Sequence, residues 1–104
     1  MSAIAYSVTA TLPDARTADE YVSWLEDGHL DAVIKGGAHS AMIVRLDPVS
    51  PADRPQVETR YIFSTRALFD QYVRDHAPAL RAEGLRRFPP ERGIVMTRRT
   101  GIVV

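Results

Sequence analysis

TADEYVSWLEDGHLDAVIKGGAHSAMIVRLD, residues 17–47, changes its period halfway along, and that change decides the fold. Before Ile34 the apolar residues recur at helical spacing. Tyr21, Val22, Leu25, Ala32 and Val33 fall within an arc of about 120° at 100° per residue. Thr17 and Glu20 have the spacing of a capping box, which starts the helix at Thr17. Lys35-Gly36-Gly37 stops it, because glycine takes the positive φ that helix ends adopt. From His39 to Asp47 the period is two, with Met42, Val44 and Leu46 on one face and Ala41 and Ile43 on the other. A helix therefore feeds a strand with two apolar faces.

Working outward, residues 3–11, AIAYSVTAT, alternate Ile4, Tyr6, Val8 and Ala10 against smaller or polar side chains and read as a first strand. The segment Pro48 to Pro55 cannot continue a paired central strand and reads as a loop. Residues 56–64 alternate Val57, Thr59, Tyr61 and Phe63 and give a third strand. A second helix begins near Ser64 or Thr65, carries Leu68, Phe69, Tyr72 and Val73, and meets Pro78, which interrupts or bends it. Residues 93–103, GIVMTRRTGIV, make the last strand.

The order is β-α-β-β-α-β. With right-handed crossovers, the simplest arrangement is a ferredoxin-like α+β domain over residues 1–104, a four-stranded antiparallel sheet with both helices on one face. Its other sheet face would stay wet, although Met42, Val44, Leu46, Val95 and Val103 contribute apolar groups to the strands. A homodimer paired through the sheets would cover it.

Composition narrows the rest. The formal net charge is zero, which gives no support for bulk attraction to nucleic acid or an anionic membrane. The zero hides an asymmetry. Residues 14–31 hold Asp14, Asp19, Glu20, Glu26, Asp27 and Asp31 against Arg16, whereas residues 81–99 hold Arg81, Arg86, Arg87, Arg92, Arg98 and Arg99 against Glu83 and Glu91. Solvated surfaces account for it, as would a subunit contact or an anionic ligand. Cysteine is absent, so disulfides and thiolate chemistry are excluded. The N-terminal run lacks the basic region of a signal peptide, and no apolar run would span a membrane, so a cytoplasmic protein is expected.

His29 falls near the centre of the first helix's apolar stripe, with Trp24 on one flank and Leu30 on the other. On the second helix, Leu68, Phe69, Tyr72, Ala79 and Leu80 mark the apolar side, and His76 falls near its middle if Pro78 does not rotate the last turn. Two readings are open. In one, each imidazole is satisfied by Tyr6, Tyr61, Tyr72, a backbone carbonyl or buried water, since an unsatisfied buried polar group costs about 1–3 kcal/mol. In the other, helices and sheet do not close completely and both histidines line a cavity.

Such a cavity would suit proton transfer near neutral pH, with His29 and His76 as the acid–base groups. Tyr6, Tyr61 and Tyr72 would bond a phenol, enol or carbonyl oxygen, while Trp24, Phe63 and Phe69 would enclose an aromatic or aliphatic body. Isomerisation, cyclisation and cofactor-independent oxidation of an activated ring all fit. Arg45 or Arg60 is a candidate for added charge stabilisation. Gly36-Gly37 lacks the spacing of a phosphate loop, HExxH is absent, and His29, His39 and His76 lie far apart, so neither cofactor nor metal is expected. Tyr61 and Phe63 only weakly imitate an RNA-binding strand.

The segments YVSWLEDGHLDAVIKGGAHSAMIVRLD (21–47) and ETRYIFSTRALFDQYVRDHAPALRAEGLRRF (58–88) resemble a small uncharacterised bacterial family of the dimeric α+β barrel superfamily. The marks are Trp24, His29-Leu30, Gly37, and His76-Ala77-Pro78 followed by Leu80-Arg81. The resemblance, over roughly residues 4–100, implies a ferredoxin-like protomer paired through its sheets. It also implies kinship in fold with antibiotic-biosynthesis monooxygenases and muconolactone isomerases, many with a pocket between helices and sheet. Trp24 and His29 are similar to the first-helix pair of some monooxygenase-like members. His76 invites comparison with the proximal ligand of haem-degrading members, which makes haem binding a minor alternative. A non-catalytic ligand-binding or structural dimer is the main rival, since fold does not decide function.

Overall fold

β1 (Ile4–Thr11) lies inside the sheet, antiparallel to β3 (Gln56–Phe63) on one side and β4 (Val95–Ile102) on the other. β2 (Ser40–Leu46) pairs with the outer edge of β3, giving the order β2-β3-β1-β4. This is the split βαβ arrangement of a ferredoxin-like α+β fold, as the sequence periods predict. The computed structural model describes residues 2–104; Met1, the first residue of the expected 1–104 domain, lies outside them.

Each crossover is helical, and each is broken in two. The first comprises α1 (Ala15–Trp24) and α2 (Leu30–Lys35), and the second α3 (Arg66–Asp75) and α4 (Ala77–Arg87). The expected cap is displaced by three residues. Asp14 sits at the N-cap and its Oδ1 accepts a 2.8 Å hydrogen bond from the Thr17 amide. Thr17 is instead buried in the first turn; a carboxylate is as good a cap as a hydroxyl, and the earlier start buries Ala18 and Tyr21 as well.

The expected single helix from Thr17 to Ile34 also needs correction. Between Trp24 and Leu30 the backbone widens into a turn in which Asp27 (φ −90°, ψ 45°) and Gly28 (φ 113°, ψ −18°) are not helical. Such local expansions re-aim the side chains that follow and recur at functional sites. A Cβ at Gly28 would touch nothing within 4 Å, so only the backbone angle demands glycine. Gly28→Ala is accordingly expected to lower stability by about 1–2 kcal/mol through strain alone, read as a lower urea midpoint with an unchanged slope.

The second break falls at His76, not at Pro78. Pro78 occupies the first turn of α4, where its missing N–H has no partner to lose. His76 is the joint between α3 and α4, with φ −122°.

Two groups of buried side chains fill the space between helices and sheet. Ile4, Tyr6, Val33, Tyr61, Phe63, Phe69 and Tyr72 belong to one, and Ala10, Leu12, Tyr21, Leu25, Val57 and Phe88 to the other. Leu30 packs against both and marks their border. The sheet's other face has Ser7, Thr9, Glu58 and Arg60 at its middle by register, with Met42, Val44, Leu46 and Val95 towards the edges. Met42 and Val95 remain 55% and 51% exposed. Among the described residues, no helix is long and apolar enough to cross a membrane.

Candidate functional site

The two buried groups do not meet fully, and a cavity opens between them. Its walls come from three strands and from the helical layer. β1 contributes Tyr6 and Val8, β3 contributes Thr59 and Tyr61, and β4 contributes Met96 and Arg98. From the helical layer come Tyr21, Trp24, His29 and Tyr72, together with Leu80, Arg81, Gly84 and Leu85 of α4. Room for water amounts to about 40 Å³, within a cleft of about 500 Å³ counted out to its solvent-open mouth. A single water needs about 10–15 Å³ on the first measure, so the space exceeds one water even with no ligand present.

The break at Gly28 explains how His29 reaches this space. As the last residue of the wide turn, its ring folds back on Trp24, with centroids 4.2 Å apart and planes 26° from parallel. Trp24 is in turn held edge-on by Phe88 and stacked on Tyr21. Gly84 of α4 makes room for it, because a Cβ there would lie 3.4 Å from the indole. His29 is half-buried and, among the described residues, no protein group hydrogen-bonds its ring; burial lowers its pKa, and the Glu83 carboxylate partly opposes that shift. The imidazole is therefore neutral at physiological pH and free to accept a proton.

The phenols are held as donors. Burial raises the Tyr21 and Tyr61 pKa values to about 12 and pushes Tyr72 higher still. No side-chain nitrogen or oxygen that is sealed from solvent lacks a partner among the described residues. The hydroxyls of Tyr21 and Tyr72 bond to no protein group there, and both residues line the cavity. The Thr59 hydroxyl, which offsets part of the rise at Tyr61, donates a 3.4 Å hydrogen bond to the Val8 carbonyl. Tyr6 accepts a 3.4 Å hydrogen bond from Arg81 Nη2 and stacks on Tyr61 at 5.9 Å.

Of the residues singled out from the sequence, Tyr6, Trp24, His29, Tyr61 and Tyr72 are brought together at the cavity. Three are not. Phe63 is fully buried beneath it, edge-on to Phe69 at 5.2 Å. Phe69 packs in the same group, 5.4 Å from Tyr6. His76 is exposed at the joint, with its ring against Gly36 and 6.4 Å from Tyr72. The helix ends one residue before it, so the stripe of α3 does not carry it inward.

Arg45 and Arg60, the candidates for inward charge, are engaged elsewhere. Arg45 pairs with Asp19 at 3.0 Å, and Arg60 pairs with Glu58. The guanidiniums at the cavity are those of Arg81 and Arg98. Sequence parity held the signal for Arg98, which shares the strand face of Ile94 and Met96. Among the described residues, no three His, Asp or Glu side chains gather as a metal site would require.

The family model for Domain of unknown function (DUF4286) matches residues 3–100, and the chain belongs to that family. No curated protein matches the chain significantly. Solved structures share its fold at low identity. A dimeric ferredoxin-like protein from an uncultured marine organism superposes with a TM-score of 0.75 at 14% identity, covering 100% of this chain and 97% of that one. A dimeric ferredoxin-like protein from Thermobifida fusca gives 0.65 at 14% identity, with 98% and 92% covered. SnoaB, a cofactor-independent oxygenase from Streptomyces nogalater, gives 0.60 at 11% identity, with 100% and 93% covered.

Proposed function

We propose that this member of the family is a cofactor-independent enzyme acting on a small hydrophobic or aromatic metabolite, with His29 as its general base. The observation that carries this reading is an imidazole kept neutral by burial, with no protein hydrogen bond, at the wall of a cavity rich in phenol donors. His29 takes a proton from an acidic C–H or O–H of the ligand, and the electron pair stays on the ligand as an enolate or phenolate. Tyr72 and Tyr21, held protonated, donate to the developing oxyanion. Return of the proton to another carbon gives isomerisation, and attack of the enolate carbon on a carbonyl of the same ligand, whose oxygen then takes the proton, gives cyclisation. Oxygenation takes molecular oxygen as co-reactant, with the bound anion supplying the electrons. The fold shared with SnoaB supports the oxygenase branch.

Trp24, Tyr6 and Tyr61 enclose the apolar body of the ligand. The working unit in this reading is a cytoplasmic homodimer paired through the open sheet faces, supported by the apolar edges of that face and by the dimeric neighbours. His76 has no part in the chemistry, because it lies outside the cavity. One observation favours the rival reading of a non-catalytic ligand-binding or structural dimer. The 40 Å³ of water room is small beside an aromatic ring, so a ligand must widen the cavity at its solvent-open mouth.

The test is solvent deuterium incorporation, with oxygen uptake followed in parallel, into a panel of carbon acids such as cyclic 1,3-diketones and anthrones. Wild-type protein is expected to accelerate exchange in at least one of them. Gly84→Leu, which pushes a side chain towards the Trp24 indole and into the cavity, is expected to abolish it while far-UV circular dichroism stays native. Equal exchange by the wild type and Gly84→Leu would defeat the proposal.

A further inference from the structure

We infer that the ligand is an acid, an apolar or aromatic body carrying a carboxylate or comparable oxyanion, held at the cavity mouth between Arg81 and Arg98. This rests on the pocket reading above and adds its charge class. The two guanidiniums approach from different layers. Arg81 stands on α4 between Leu80 and the small Gly84, in a helix whose Leu80, Arg81, Gly84 and Leu85 share one side of the cavity. Arg98 comes from the sheet. It pairs with Val8 in register, and its alternation with Thr97 and Arg99 puts it on the helix-facing side with Met96. An arginine at that parity stands where the strand pattern otherwise places apolar groups.

Neither guanidinium is paired with a carboxylate among the described residues, where the arginines so paired are Arg45, Arg60, Arg74 and Arg92. Arg81 instead donates a long 3.4 Å bond to the neutral Tyr6 hydroxyl, which leaves most of its donors unused. Two unpaired guanidiniums at the rim of an apolar cleft focus a positive potential there, and their planar forks match a carboxylate. Of the remaining walls, Val8, Trp24, Leu80, Leu85 and Met96 are apolar, beside the tyrosines, His29 and Thr59. Such a site holds an organic anion with its charge at the rim and its body inside. Inorganic phosphate or a nucleotide would leave that apolar surface unused.

Trp24 is the only tryptophan in the chain and lines the cavity, so its fluorescence reports occupancy directly. The probes are 4-tert-butylbenzoate and its neutral isostere 4-tert-butylbenzamide, titrated into the full-length protein at low and at high salt. The carboxylate is expected to bind about 10-fold or more tightly than the amide, with the ratio shrinking as salt rises. Arg81→Gln and Arg98→Gln are each expected to bring that ratio towards one. Arg86→Gln, which removes the same charge from an exposed position of α4, should leave it in place. Equal binding of benzoate and benzamide overturns the inference while the pocket reading stands. Failure of both probes to perturb Trp24 overturns the two together. A ratio lost equally in Arg86→Gln reduces the effect to net charge and also overturns it.

Discussion

His29→Gln is expected to slow proton transfer on an accepted carbon acid by about 10²–10⁴-fold, the usual contribution of a positioned acid–base group. Glutamine keeps a polar side chain of moderate size on the Trp24 face but has no basic nitrogen. Loss of rate without loss of fold therefore isolates the base. The measurement is exchange at saturating ligand, with urea unfolding as the control for structure. His29→Phe separates the two readings further. A site that only packs or binds would accept a phenyl ring stacked on the indole and gain stability from it. An active variant with phenylalanine at position 29 would remove His29 from the chemistry altogether.

The pH profile follows from the same burial. His29 has its pKa lowered in the folded protein relative to the usual 6.5, so folding disfavours its protonated form. As a base it works once deprotonated, and the rate should climb through a pKa below 6.5 and then stay level across neutrality. Stability changes in the same direction. Between the lowered pKa and 6.5 the unfolded chain binds more protons than the folded one, so stability rises with pH in that window. It falls as pH drops through the folded pKa, and below that point no further stability is lost from this group. His29→Gln should flatten both the rate and the stability curves over that interval. An unchanged stability curve would mean that the imidazole is solvated and that the cavity wall is misassigned.

The strands were legible because alternation leaves little freedom: Val57, Thr59, Tyr61 and Phe63 all face the helices, and a shift of one residue would expose all four. The helical layer was less so. An isolated glycine inside a helical pattern is usually tolerated, so nothing local marked Gly28 as a break, although its φ of 113° is what turns His29 towards Trp24. Pro78 has the look of an interruption, yet proline is best placed in a first turn. That moved the real break to His76 and took its ring out of the stripe. Arg81 and Arg98 were missed for a different reason. Arginine in a strand or helix faces solvent by default, and only parity with Met96 and proximity to Leu80 set these two apart. The cavity's one sequence signal is the imidazole of His29 on an apolar stripe. The cavity arises because the two buried groups, sharing only Leu30 at their border, are each complete without closing the gap.

Phe63→Ala is expected to cost about 3–5 kcal/mol, the range for removing a buried aromatic ring. Phe63 is fully buried, edge-on to Phe69 at 5.2 Å and the same distance from the Tyr72 ring. Strand β3 is flanked by β1 and β2 and cannot shift to close the void, so the larger cavity term applies. Against a total of about 5–15 kcal/mol for a domain of ordinary stability, this is a fifth or more, and the urea midpoint should fall by about 2 M at fixed protomer concentration. The aromatic character that made Phe63 a candidate ligand contact serves packing instead. Phe63 supports the floor on which Tyr6 and Tyr72 stand but does not reach the cavity. Benzoate affinity measured on the folded fraction should therefore change far less than stability does. A variant that folds well but loses the probe would put the ligand deeper, against Phe63, and would require the cavity to extend through the Tyr6–Tyr72 contact when filled.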